Sequence, residues 1–261
     1  VFNKIRDYWG GMLDRGAVTF WEEFDPEAPV ETQYDMYGDR FGKSLCHAWA
    51  ASPIYFLAKY FMGLKFAVDS RVLIPRQDTE TLCEQALTFL CGYTGAEVLD
   101  LCTGSGAIAI SVARLQPGLR VTATDMSSDA LSVASENAHL NGVYVRFMQG
   151  DLFEPVAGER FDAILCNPPY LTADDMVHLQ TEVACEPRMA LFGGEDGLMF
   201  YRRLAHEVYR HLKPGGYALF EVGEGQAAEV LRLMSENAMC AASGTVKDLP
   251  GVERVVWIRS R

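Results

Sequence analysis

From residue 78 onward the apolar positions of the chain switch between two periods. Short apolar runs at 97–101, 120–124, 143–148, 161–166, 217–222 and 255–259 predict strands. Between them, apolar residues recur at three- and four-residue spacing over 79–91, 106–115, 129–140, 196–212 and 226–237, which predicts helices, the third stopped by Asn141-Gly142. Such alternation implies an α/β fold, a doubly wound and mostly parallel seven-stranded sheet. Residues 244–259 depart from it: two extended runs around Leu249-Pro250-Gly251 predict a closing antiparallel strand. Ahead of the periodic part, residues 1–63 are irregular and aromatic-rich, and a helix at 53–63 makes this a small, mainly helical N-terminal region. Residues 66–74 alternate around Asp69-Ser70, so 64–75 is expected to be a linking β-hairpin, and 76–261 the main domain.

Composition narrows the function classes. A chain of 261 residues, 49% hydrophobic, can bury a sizeable core. No apolar run reaches the ~18 residues a membrane span needs, and Val1 to Asp7 lack the apolar stretch of a secretory leader. Seven cysteines without a C-x-x-C pair, and five histidines without H-x-x-x-H spacing, indicate neither a disulfide framework nor a metal site. The expected location is the cytoplasm. A net charge of −12 repels polyphosphate and makes nucleic acid an unlikely main partner. Residues 22–39 carry seven acidic side chains and no Lys or Arg, which reads as a solvated segment or a surface for a basic protein. Arg202, Arg203, Arg210 and Lys213 fall together and read as one solvated helix face.

Two constellations carry chemistry. Asn167-Pro168-Pro169-Tyr170 follows the predicted strand 161–166 and so lies at a strand's C-terminal end, where open α/β sheets bind ligands. The two prolines remove two backbone donors, and Pro168 pushes Asn167 out of the helical region. What remains is a corner rich in acceptors. The Asn167 side-chain oxygen and the Pro168 carbonyl can face one cavity and grip a planar group with two N–H donors, with Tyr170 against its plane. The second constellation, Asp100-Leu101-Cys102-Thr103-Gly104-Ser105-Gly106, joins a strand to a helix start; its glycines admit close backbone approach, and the helix N–H groups favour an anion. Asp125, followed by Met126, ends the next strand, where a carboxylate accepts from ribose hydroxyls. Asp151 ends the third, where it can accept from an adenine amino group while Leu152 or Phe153 covers the ring. The turn also fits the dinucleotide fingerprint. Two observations favour S-adenosylmethionine over it: Asp100 is placed to meet a cationic amino group, and the acceptor corner suits N-methyl transfer but not hydride transfer.

These residues resemble the HemK/PrmC-type protein-(glutamine-N5) methyltransferases that modify peptide chain release factors. The likeness spans about residues 53–261. Besides the two constellations it includes Ile74-Pro75-Arg76-Gln77-Asp78-Thr79-Glu80 and the block 186–198, from Glu186-Pro187-Arg188 to Gly197-Leu198, which methyltransferases in general do not share. The resemblance implies a class I, Rossmann-like methyltransferase domain. It places the cofactor loop on Cys102 to Gly106, the ribose-binding acid on Asp125, the adenine-side contact on Leu152 and the substrate-glutamine site on Asn167 to Tyr170. The implied reaction is methylation of the glutamine in the Gly-Gly-Gln motif of a release factor. A ribosomal-protein glutamine and an amino-directed nucleic-acid methyltransferase are the alternatives. Three positions depart from the family: Cys102 replaces a glycine, Gln77 a proline, and Leu152 an aromatic found in some relatives. The N-terminal part is shorter and more acidic than the family's substrate-docking domain.

Overall fold

The computed structural model describes residues 35–36, 39–40, 64–179 and 183–261. The chain divides into two compact units, Val1–Leu64 and Lys65–Arg261. In the first, Asp35–Met36 and Asp39–Arg40 pair antiparallel. The helix expected at 53–63 lies outside the described residues.

The second unit is built on seven strands: β1 Glu97–Leu101, β2 Arg120–Asp125, β3 Arg146–Gln149, β4 Phe161–Cys166, β5 Leu212–Glu221, β6 Cys240–Lys247 and β7 Glu253–Ser260. Their spatial order is β3-β2-β1-β4-β5-β7-β6. The first five run parallel, and β7 inserts antiparallel between β5 and β6. The α-helices are α1 Asp78–Leu90, α2 Ala107–Leu115, α3 Ser128–Leu140, α4 Arg188–Leu191, α5 Met199–His211 and α6 Ala227–Ser235. Among the described residues no helix is long and apolar enough to cross a membrane.

Strand alternation sets the two layers. Leu99, Leu101, Ile164, Cys166, Ala218 and Phe220 pack into one buried cluster with Tyr201, Leu204 and Val208 of α5 and Val230 and Met234 of α6. The intervening Val98, Ala163, Leu165 and Leu219 are buried as well, so the central strands are covered on both faces, as a parallel sheet requires. The chain starts at the sheet's centre, winds outward to β3 and returns to place β4 beside β1. That reversal is the switch point at which such sheets open a crevice.

Three expectations need correction. Residues 64–75 form no hairpin ladder. The turn is present, with Val72 N–H donating to the Asp69 carbonyl at 3.2 Å, but its first arm is bonded to side chains of α3 instead. Asn137 Oδ1 accepts from Ala67 N–H at 2.7 Å while Nδ2 donates to Ala67 C=O at 2.9 Å, and Asn141 does the same to Lys65 at 2.7 Å each. A carboxamide offers the donor and acceptor of a peptide, so two asparagines one helical turn apart replace a neighbouring strand. The strand expected at 143–148 begins at Arg146, because Val143 N–H is spent capping α3 at the Ala138 carbonyl, 3.1 Å away. The closing element is a full hairpin, β6 and β7, rather than one strand.

Candidate active site

The turn after β1 is held from below. Asp100 is fully buried, and its Oδ2 accepts from Thr103 Oγ1 at 2.6 Å and Ala109 N–H at 3.1 Å. Its Oδ1 is buried with no hydrogen-bond partner, and burial pushes the carboxyl up to about 7. The residue expected to face a cationic group thus lies beneath the loop and ties both its ends. Thr103 and Ser105 are buried too, and the Ser105 carbonyl accepts from Asn137 Nδ2 at 2.9 Å. Gly106, at φ 81°, caps α2; a Cβ there would come within 2.8 Å of Ile110 and 3.1 Å of Ala134. Cys102 adopts φ 57°, a left-handed conformation that suits the glycine it replaces.

Above the loop opens a cleft that is partly continuous with solvent. Cys102 and Gly104 line it from the loop, Asp125 and Met126 from the end of β2, Asp151 and Leu152 from the end of β3, and Asn167 and Pro169 from the end of β4. Four strand ends therefore converge on one cavity, and the turn after residue 70 closes it through Arg71 and Val72. Asp125 accepts Gly104 N–H on one oxygen and Ser127 N–H on the other, both at 2.9 Å. Burial raises its carboxyl and these backbone bonds oppose the rise. Asp151 pairs through Oδ2 with Arg203 Nη2 at 2.7 Å, while Oδ1 is buried with no partner. Arg203 thus leaves the expected solvated face to brace the cleft. Leu152, at φ 47°, is with Cys102 one of two non-glycine residues in left-handed conformation among the described residues, and both stand at the cleft.

The acceptor corner follows β4. Among the described residues, neither Asn167 Oδ1 nor the Pro168 carbonyl accepts a hydrogen bond. Asn167 Nδ2 lies 3.4 Å from Thr79 Oγ1 at the start of α1, and the Asn167 side chain is beside the carboxylate of Glu221 at the end of β5. The Tyr170 ring packs against the core cluster and is not part of the cleft wall, and burial pushes its hydroxyl up to about 12. Its carbonyl accepts from Gln226 Nε2 at 2.9 Å.

The two family blocks brace this corner. Leu171 is bonded to the segment 191–193, its N–H donating to Leu191 C=O at 2.9 Å and its C=O accepting from Gly193 N–H at 2.8 Å. A Cβ at Gly193 would lie 2.7 Å from the Pro169 carbonyl oxygen and from Tyr170 Cα, so that close approach requires glycine. Buried Glu186 takes the Arg76 guanidinium at 2.8 and 3.0 Å, joining block 186–198 to block 74–80. Sequence reasoning missed Thr79, Glu221, Gln226 and Arg203 as site neighbours. For Glu221 a signal existed: like Asp125 and Asp151, it is the acid that ends an apolar strand. Among the described residues no cluster of His, Cys, Asp or Glu could hold a metal ion.

Comparison with known proteins agrees with this geometry. A family model described as "Methyltransferase small domain" matches residues 79–199. A release factor glutamine methyltransferase of Geobacter sulfurreducens is 43% identical over 197 residues, 75% of this chain and 68% of the relative. One of Bordetella pertussis is 43% identical over 209 residues, 79% of this chain and 77% of the relative. The chain belongs to the release factor glutamine methyltransferase family. Members of this family are methyltransferases, and the architecture fits: a methyltransferase of Pyrococcus furiosus superimposes with a TM-score of 0.57 at 22% identity, covering 80% of this chain and 96% of the other. That likeness concerns the fold, a class I, Rossmann-like methyltransferase sheet.

Proposed function

We propose that this protein transfers a methyl group from S-adenosylmethionine to the side-chain amide nitrogen, N5, of the glutamine in the Gly-Gly-Gln motif of a peptide chain release factor. The observation that carries this reading is the uncommitted acceptor of Asn167, a residue of the cleft wall, next in the chain to the equally uncommitted carbonyl of Pro168, which itself is not among the residues lining the cleft. The names of the relatives support the substrate. A reaction on translation machinery and the lack of a membrane-spanning helix among the described residues support a cytoplasmic location.

The residues at the cleft suit that cofactor. The two Asp125 oxygens accept backbone N–H groups of Gly104 and Ser127, and a carboxylate's four lone pairs leave capacity for vicinal hydroxyls. The Asp151 Oδ1 lacks a partner and suits an exocyclic amino group, with Leu152 and Met126 flanking a planar ring. A Cβ on Gly104 would meet no protein atom within 4 Å, so the glycine keeps open the space a ligand needs. When bound, S-adenosylmethionine supplies an electrophilic methyl on a sulfonium. The protein's own task is to present the acceptor nitrogen.

A carboxamide nitrogen is a weak nucleophile because its lone pair is delocalised into the carbonyl. Asn167 Oδ1 and the Pro168 carbonyl accept its two N–H bonds, orient the nitrogen and stabilise the positive charge that develops as the new N–C bond forms. The proton becomes acidic only after that bond has formed, so no base is needed beforehand. The test is transfer of labelled methyl from S-adenosylmethionine to a purified release factor. Incorporation at the Gly-Gly-Gln glutamine is expected. Incorporation into a ribosomal protein or RNA instead, with none in the release factor, overturns the proposed substrate.

A further inference from the structure

The transfer proposed above leaves one buried acid beside the acceptor corner without a task. Glu221 ends β5, is 1% exposed, and lies next to β4, where Phe220 is in register with Cys166 immediately before Asn167. Its backbone is pinned by the Tyr201 hydroxyl, which donates to the Glu221 carbonyl at 2.7 Å. Its carboxylate lies beside the side chains of Thr79 and Asn167, and Oε2 is buried with no hydrogen-bond partner. An apolar position would be the default this deep in a sheet, since a buried carboxylate is costly unless something uses it.

The geometry accounts for that use. A primary carboxamide is a donor on one side and an acceptor on the other. With the Asn167 side chain beside Glu221 and its Nδ2 near Thr79 Oγ1, Oδ1 turns to the cleft that Asn167 lines. The flipped amide would aim an NH2 group at the NH2 group of the substrate, donor against donor. Resting on the glutamine-methylation reading, we infer that Glu221 is a positioning residue: its ionised carboxylate, with the Thr79 hydroxyl, holds Asn167 so that Oδ1 faces the substrate amide. A negative charge behind Nδ2 also polarises the Asn167 amide and strengthens Oδ1 as the acceptor for positive charge developing on the substrate.

Burial pushes Glu221 up to about 7. The groups that face it are Asp78 and Cys83 of α1, Cys166 of β4, Tyr170, Tyr201 of α5 and Arg254 of β7. Ionised, Glu221 only accepts; protonated, it also donates and tolerates the flipped amide. The rate should therefore climb with pH as Glu221 ionises.

Glu221→Gln is isosteric and removes a buried charge, so its melting temperature should equal or exceed that of the wild type. It should lower kcat by about 10-fold or more while cofactor Kd, measured by calorimetry, stays within about twofold, and it should abolish the rising limb of the pH–kcat profile. Thr79→Val is the second variant and should lower kcat in the same direction. A readout without turnover comes from the Asn167 Nδ2 amide signals in ¹⁵N-resolved NMR, which should titrate with pH in the wild type and not in Glu221→Gln. Wild-type transfer to the release factor, with a Glu221→Gln variant that keeps its kcat and pH profile, overturns the role of Glu221. Absent transfer to the release factor with the NMR titration intact overturns the substrate and leaves the positioning standing; absent titration overturns the positioning whatever the substrate.

Discussion

At the scale of single residues, the site is a set of polar atoms distinguished by what they do not bond. Asn167 Oδ1 is uncommitted while Nδ2 is engaged at Thr79 and the side chain lies beside Glu221, so the amide can act only as an acceptor toward the cleft. Asn167→Ala is expected to lower kcat about 10²-fold or more with little loss of cofactor affinity, the effect of losing one transition-state contact; single-turnover kinetics with calorimetry separate the two. An equal loss of affinity would make Asn167 a cofactor ligand instead. Cys102 illustrates the reverse, a side chain that the backbone merely tolerates. Its φ of 57° costs about 1–2 kcal/mol for a residue with a Cβ, and glycine would remove that strain while adding about 0.5–1 kcal/mol of unfolded-state entropy. Cys102→Gly should therefore retain activity and change stability by no more than about 1.5 kcal/mol, as denaturant titration will show. A collapse of activity would assign the thiol a chemical part.

At the scale of elements, the cleft is shaped by pieces that no regular ladder joins. The segment 65–77 is attached through side-chain amides, and Asn137 bonds the arm at Ala67 and the cofactor loop at Ser105 at once. Replacing it leaves three main-chain groups without partners. Asn137→Ala should cost about 2–3 kcal/mol of stability, read as a fall of roughly 4–12 °C in melting temperature. It should also weaken cofactor binding, because the arm and the loop lose their common tie. Unchanged stability would mean that water takes over these bonds. The same logic explains block 186–198, whose residues serve mainly by approach: Gly193 touches the Pro169 and Tyr170 backbone, and Glu186 fastens Arg76.

At the scale of the whole molecule, two buried acids set the response to pH. Asp100 and Glu221 are each pushed by burial up to about 7, from unfolded values of 3.8 and 4.5. The folded state therefore binds their protons more tightly than the unfolded chain does. Their contribution to stability is complete below about pH 4 and is lost as pH rises toward 7. Among the acids shifted the opposite way, Asp69 and Asp196, at about 2, are exposed and change charge only below this window. The midpoint of urea denaturation should fall between about pH 4 and pH 7, and Glu221→Gln should flatten the fall. A midpoint that rises across that range would show that neither acid is buried as described. The protein thus gives up stability near neutral pH to keep Glu221 ionised beside Asn167.

Local patterning determined much of this architecture. Apolar runs and helical spacing placed the strands and helices of the catalytic unit to within a few residues, because each element in a doubly wound sheet buries its own face. Glycine and proline spacing located the cofactor loop and the acceptor corner, since those residue types restrict the backbone wherever the chain later folds. Pairings between distant segments were decided only in three dimensions. Nothing near Asn137 announces that its amide will stand in for a strand, and nothing near Asp100 shows that its carboxylate will tie the loop from beneath. Arg203 reads as solvated until β3 brings Asp151 to it, and Glu221 reads as an ordinary strand end until β4 lies alongside and sets Asn167 against it. A hydrogen bond needs its partner's position as well as its chemistry, and that position exists only once the sheet has closed.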